Sequence, residues 1–207
     1  MNEKIFREGL QPYLPDNSAD IIARWIDQLE LKVVLWKHRK TKLGDFRAPR
    51  GKVGYASISV NKSLNPYSFL ITIVHEIAHA AVYRTYGRSV KPHGDEWKKE
   101  YQSRLLVFLN NRIFPEDLEG EIAHHLINPK ASSSAEVGLA KALRKYDNET
   151  SGSIIYVDDL SEGDRFMLSD GRIFIKGRKQ RTRHQCVEES TQRKFLISGL
   201  AEVKRLD

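Results

Sequence analysis

Residues 65–87 decide how the chain is read: Asn65-Pro66-Tyr67-Ser68-Phe69-Leu70-Ile71-Thr72-Ile73-Val74-His75-Glu76-Ile77-Ala78-His79-Ala80-Ala81-Val82-Tyr83-Arg84-Thr85-Tyr86-Gly87. Asn65 is a good N-cap, and Pro66 suits the first helical position, where its missing N–H is no loss. The pattern predicts a helix running to about Tyr86, with Gly87 able to end it in the left-handed conformation. From Phe69 to Val82 almost every residue except His75, Glu76 and His79 is apolar or small, so the helix is expected to be buried nearly all round. Two imidazoles and a carboxylate in that setting carry a desolvation cost, which argues that they have partners. His75 and His79 are four apart, one turn above each other on one helix face, close enough to share a metal ion. Glu76 can then reach a water at that ion, the H-E-x-x-H arrangement of metal-assisted peptide hydrolysis.

A catalytic zinc takes three protein ligands and keeps one position for water. The helix supplies two, and His93, Asp95, Glu96 and Glu100 are the candidates for the third. His93 is the best of them. It sits in the turn Lys91-Pro92-His93-Gly94-Asp95, which can fold back over the central helix, and it precedes a second helix. The positive end of that helix disfavours imidazolium and keeps the neutral, ligating form. Asp95 can cap the second helix, with Trp97, Tyr101, Leu105 and Phe108 on its buried face.

Outward from this centre, residues 1 to 30 read as helical, with Ser18 as a cap and Ile21, Ile22, Trp25, Ile26 and Leu29 at helical spacing. Strands are expected at Val33–Trp36, around Phe46 and at Tyr55–Val60, with Gly44, Pro49, Gly51 and Gly54 supplying turns. The strand at Ser57–Val60 is a candidate edge for holding an extended substrate. The adjacent His124 and His125 point in different directions on a helix and read as surface residues. Residues 129 to 153 read as a linker or short surface helix. Beyond them a small β-module is expected, with a hairpin at Asp170-Gly171 of type I′ and further strands near His184–Val187, Phe195–Ser198 and Ala201–Leu206.

The 207 residues fit one domain with an appendage or two small domains, and 40% hydrophobic content is enough for a core. No stretch approaches a membrane span, and the N-terminus lacks the apolar core of a signal peptide, so no membrane partner and a cytoplasmic location are expected. Cys186 is the single cysteine, which excludes an intramolecular disulfide and a multi-thiolate metal site; on its strand it reads as a small core residue. The net charge of +7 favours polyanionic partners, nucleic acid first. The run Arg178-Lys179-Gln180-Arg181-Thr182-Arg183 offers Arg178, Lys179, Arg181 and Arg183 as candidate phosphate contacts, or else a solvated loop that protects a sheet edge.

His75-Glu76-Ile77-Ala78-His79-Ala80 followed by His93-Gly94-Asp95-Glu96-Trp97-Lys98 resembles the SprT-like metalloprotease domain, whose eukaryotic members include the Spartan proteases. Thr41–Arg47, a strand and Asn65-Pro66 are similar to the way that domain enters its active-site helix. The resemblance covers roughly residues 15 to 110. It implies a zincin-like α+β metallopeptidase domain with His75, His79 and His93 as ligands of one Zn2+ per chain and Glu76 as general base. By analogy it also implies a substrate class, proteins bound or crosslinked to DNA. Many members carry a C-terminal zinc ribbon with two Cys-x-x-Cys pairs. None can form here, so the β-module stands in its place.

The expected organisation is therefore a metallopeptidase domain over 1–128, a linker over 129–153 and an antiparallel β-module over 154–207. The expected function is zinc-dependent endopeptidase action on a protein substrate, with DNA as a partner. Two other functions fit the same residues: a DNA- or protein-binding module with a structural metal, and a regulatory metallopeptidase with no nucleic-acid involvement.

Overall fold

The apolar segment after Asn65 forms helix α3 (Pro66–Tyr86), around which the first part of the chain is built. The structure is a computed structural model that describes residues 3–37, 42–49, 54–130, 136–147 and 155–206. Asn65 caps α3 as the sequence predicts: its Oδ1 accepts the Ser68 N–H at 2.9 Å. At the other end Gly87 takes φ 62°, with its N–H on the Tyr83 carbonyl at 2.8 Å. Phe69, Leu70, Ile73, Val74, Ile77 and Ala78 are fully buried. At about 25 cal/mol per Å2 of apolar surface, such a helix supplies much of the stabilisation of its unit.

The chain divides into two compact units, Met1–Asp147 and Asn148–Asp207. In the first, α1 (Glu3–Leu10), a short 3-10 turn (Gln11–Tyr13) and α2 (Ala19–Gln28) precede a three-stranded sheet. Ser18 stands at the start of α2, but its hydroxyl donates to the Pro15 carbonyl at 2.6 Å instead of capping the helix. The strands are β1 (Lys32–Trp36), β2 (Gly44–Arg47) and β3 (Ser57–Asn61), in the order β1-β3-β2. β3 pairs parallel with β1 and antiparallel with β2. Strand alternation sets Val33, Ile58 and Phe46 in one cross-strand row and Leu35, Val60 and Gly44 in another, on the face that packs against α3. The edge role expected for Ser57–Val60 is therefore wrong: β3 is the central strand, paired on both sides, and β2 is a terminal strand.

α4 (Asp95–Asn110) packs along α3, with Trp97, Tyr101, Leu105 and Phe108 buried as their spacing predicts. Gly94 takes the N-cap position and Asp95 is the first helical residue. α5 (Glu116–Ile127) and α6 (Val137–Arg144) complete the unit. Here the expected boundary moves. Leu139, Ala142 and Leu143 of α6 lie in the same core as α3, and the Asn65 amide donates to the Leu143 carbonyl at 2.9 Å and to Asp147 Oδ1 at 2.7 Å. Residues 137–147 thus belong to the first unit rather than to a linker, because the apolar face of α6 is buried in this core.

The second unit is an antiparallel sheet of six strands in the order β4-β9-β5-β6-β7-β8. They are β4 (Ile155–Tyr156), β5 (Arg165–Leu168), β6 (Ile173–Gln180), β7 (Arg183–Glu188), β8 (Lys194–Ser198) and β9 (Glu202–Leu206). Its small core contains Val157, Leu160, Phe166, Phe174 and Cys186. The β5–β6 hairpin forms, but not through the type I′ turn expected at Asp170-Gly171. The turn closes with the Gly171 N–H on the Leu168 carbonyl at 2.9 Å, and within it only Gly171 is left-handed, at φ 86°. No helix among the described residues is long and apolar enough to cross a membrane.

Candidate active site

One turn of α3 separates His75 from His79, and the loop between α3 and α4 brings His93 to the same place. The three Nε2 atoms lie 3.1 Å (His75–His79), 3.0 Å (His79–His93) and 3.1 Å (His75–His93) apart. Ring packing holds them. Trp97, fully buried one turn into α4, has its ring centroid 4.5 Å from that of His75, 5.2 Å from His79 and 4.7 Å from His93. Phe46 of β2 stacks on His79 at 6.4 Å. His93 reaches its position with φ 58°, a left-handed conformation that costs a side-chain-bearing residue roughly 1–2 kcal/mol.

Burial favours the neutral imidazoles. The His75 pKa falls to about 2, through burial and then through repulsion from His79, His93 and His125. That of His79 falls to about 4 through burial and the nearness of His93, and burial also lowers that of His93. For all three Nε2 atoms to be acceptors, each ring carries its proton on Nδ1. Three lone pairs converging at this distance repel one another unless a cation stands among them. Tetrahedral zinc with Zn–N bonds of about 2.0–2.1 Å needs nitrogens roughly 3.3–3.4 Å apart, within a few tenths of an ångström of those seen here. The three histidines therefore form a group that can hold a metal ion. The rival third ligands do not join it. Among the described residues Asp95, Glu96 and Glu100 lie outside the converging group, and Glu100 is bound to Arg104 at 2.7 Å.

Glu76, adjacent in sequence, is buried beside β2. Its carboxyl pKa rises to about 8 because of burial first and the nearby Asp45 carboxylate second, with Lys42 opposing. Asp45 itself is pushed up by burial, but hydrogen bonds from Lys42 (2.9 Å) and Arg47 (3.0 Å) outweigh that and hold it low. Glu76 makes no hydrogen bond or ion pair with any described residue, so its carboxyl is available to a reacting group.

Room for Glu76 is made by Gly44. A Cβ at position 44 would stand 2.6 Å from Glu76 Oε1, 2.8 Å from Thr72 Cγ2 and 2.9 Å from Glu76 Cγ. Gly44 is therefore not a turn glycine but a strand residue at a point of close approach. An isolated glycine in a strand pattern, Leu43-Gly44-Asp45-Phe46, was the available signal for that role.

The basic run falls in the second unit, at the β6–β7 hairpin, where Arg178, Lys179, Arg181 and Arg183 are all exposed. Lys179 pairs with Asp158 at 3.0 Å, and Asp158 also holds His184 Nε2 at 2.6 Å. His125 is not the surface residue its neighbour His124 implied. It is 1% exposed, within hydrogen-bond reach of Tyr101.

Residues 16–104 match the model of the SprT-like family. A segment of 47 residues is 48% identical to Protein SprT of Vibrio parahaemolyticus serotype O3:K6 (strain RIMD 2210633). That segment is 22% of this chain and 28% of the relative, so the chain spans less than a third of the protein it matches. No solved structure matches the chain.

Proposed function

We propose, from the premise that the chain carries an SprT-like family domain at residues 16–104, that it is a zinc-dependent metalloendopeptidase. The observation that carries this reading is the convergence of His93 on the two imidazoles of a helix that also presents a buried carboxyl with no hydrogen bond or ion pair to any described residue. His75, His79 and His93 are the proposed ligands of one Zn2+. Zinc held there supplies Lewis acidity toward a carbonyl oxygen and toward water. Glu76 takes the proton of the attacking water and delivers it to the leaving amine nitrogen. Its low-dielectric pocket suits both halves of that task, since a raised carboxyl pKa lets the group hold the proton between the two transfers. β2, a terminal strand packed beside Glu76, is the proposed edge along which an extended peptide lies. A structural zinc takes four protein ligands, whereas three converge among the described residues.

The proposed substrates are DNA-bound or DNA-crosslinked proteins. Charge supports a polyanionic partner, and it is distributed unevenly. Residues 1–147 hold 23 Lys and Arg against 17 Asp and Glu, while residues 148–207 hold 11 against 10. Within residues 37–52, on both sides of β2, seven Lys and Arg face one Asp. The hairpin residues Arg178, Lys179, Arg181 and Arg183 are a second proposed contact.

Glu76→Gln tests the enzyme reading. It should keep zinc content and Tm while cutting peptidase turnover by roughly a hundredfold or more. Wild-type protein that binds DNA-bound substrates tightly yet cleaves none would replace the enzyme by a binding module. For the nucleic-acid part, cleavage should rise with DNA and weaken steeply with salt as condensed counterions are released. Cleavage of a DNA-free protein at the same rate, unmoved by DNA or by changing the four hairpin cations to Ala, would favour a regulatory peptidase.

A further inference from the structure

Beneath the three histidines, aromatic and polar groups form a buried column that continues past the end of the matched domain. Trp97 touches all three imidazoles, and Tyr101 stacks on Trp97 with centroids 4.9 Å apart and planes 10° from parallel. The Tyr101 ring also meets His75 edge-on at 5.7 Å. The Tyr101 hydroxyl lies 3.1 Å from His125 Nε2, and both side chains are 1% exposed. His125 Nδ1 stands 3.2 Å from Glu136 Oε2, at ion-pair distance but without hydrogen-bond alignment. Two further ties bind α4 to the end of α5: Lys98 Nζ to Asn128 Oδ1 at 2.9 Å and Gln102 Nε2 to the Leu126 carbonyl at 2.6 Å. His125 and Glu136 lie beyond residue 104, where the family match stops.

Tyr101 needs a hydrogen-bond partner, because a buried hydroxyl left without one is destabilising. Burial lowers the His125 pKa, partly offset by Glu136, and a neutral ring with its proton on Nδ1 leaves Nε2 to accept. With Nε2 as acceptor, the Tyr101 hydroxyl is tied to α5, and the ring on which the Trp97 indole stacks is tied with it.

We propose that His125 is a positioning residue of the metal centre. It anchors the Tyr101 hydroxyl and, through the Tyr101–Trp97 stack, fixes the orientation of His75, His79 and His93. The end of α5, with His125, then belongs to the site as well as to the fold. This rests on the three histidines binding metal, and the experiment separates the two ideas.

The measurement is zinc affinity of the full chain by competition with a chelating dye, together with the visible spectrum of the Co2+-substituted protein. The variants are Tyr101→Phe, His125→Leu, His125→Gln and the double Tyr101→Phe/His125→Leu. Groups that orient metal ligands typically change affinity 10- to 100-fold. Tyr101→Phe, which removes one oxygen and keeps the stack, should weaken zinc by about tenfold or more and shift the Co2+ bands. His125→Leu should do the same, the double variant should be no worse than either single one, and His125→Gln, which retains an acceptor, should recover most of the loss. A general loss of stability would lower Tm without that non-additive pattern in affinity. If His125→Leu fails to fold, Tyr101→Phe decides alone. Tight zinc in the wild type with affinity and spectrum unchanged in Tyr101→Phe would overturn the positioning role only. A wild type that binds no zinc would overturn the metallopeptidase reading and this inference with it.

Discussion

Replacing Gly44 by Ala adds one methyl group where β2 crosses α3. The new Cβ would stand 2.6 Å from Glu76 Oε1, 2.8 Å from Thr72 Cγ2 and 2.9 Å from Glu76 Cγ, so each contact must open by roughly half an ångström or more. Thr72 cannot easily yield, because its hydroxyl is bound to the Ser68 carbonyl at 2.7 Å. The strain is relieved either by swinging Glu76 away or by lifting β2 from the helix. Overpacking of this kind costs about 1–3 kcal/mol, or roughly 2–12 °C in Tm for a chain of this size. Moving a reacting group by about 1 Å costs on the order of a hundredfold in rate. Zinc content should not change, since no histidine is touched. The decisive assay is a thermal-unfolding cycle of Gly44→Ala in the wild-type and Glu76→Ala backgrounds. Deleting Glu76 beyond Cβ removes two of the three close atoms, so the Gly44→Ala penalty should fall by half or more. An equal penalty in both backgrounds, or wild-type Tm and turnover for Gly44→Ala alone, would refute the account of how Glu76 is accommodated.

Two other outcomes follow from the same structure. His93→Asn keeps a residue that tolerates the left-handed backbone, so in chelator-treated protein its Tm should be no lower than that of the wild type, while the zinc-induced rise in Tm disappears; a fall of several degrees without metal would show that His93 serves packing instead. Truncation after residue 147 should leave a folded unit that retains zinc. Truncation after 128 strips Leu139, Ala142 and Leu143 from the core and leaves Asn65 without two acceptors, so it should unfold cooperatively at much lower temperature or not fold at all. Equal stability of the two fragments would return the boundary to residue 128.

α3 was legible because its signals are local: Asn65, Pro66 and Gly87 act within one turn, and the apolar run between them allows little else. His93 was legible for a similar reason, in a Pro- and Gly-flanked turn just before a helix. Strand order was not. β1 and β3 are parallel neighbours with β2 between them in sequence, and such non-local pairing leaves no mark on the strands themselves. Gly44 suits a turn and a close approach equally well, and only the crossing with α3 distinguishes them. His125 carried a usable signal that the adjacent His124 obscured: Leu118, Ile122 and His125 are spaced at four and three, which puts the imidazole on the buried stripe of α5. α6 likewise shows Leu139 and Leu143 one turn apart within a stretch whose serines and charges suggested a linker.

His75, His79 and His93 form a group that can hold one metal ion. The most direct test is zinc per chain, measured by elemental analysis after dialysis, for the wild type and for His75→Ala, His79→Ala and His93→Ala. About one zinc is expected in the wild type and close to none in each variant. A wild type without stoichiometric zinc, or His93→Ala with a full complement, would contradict it.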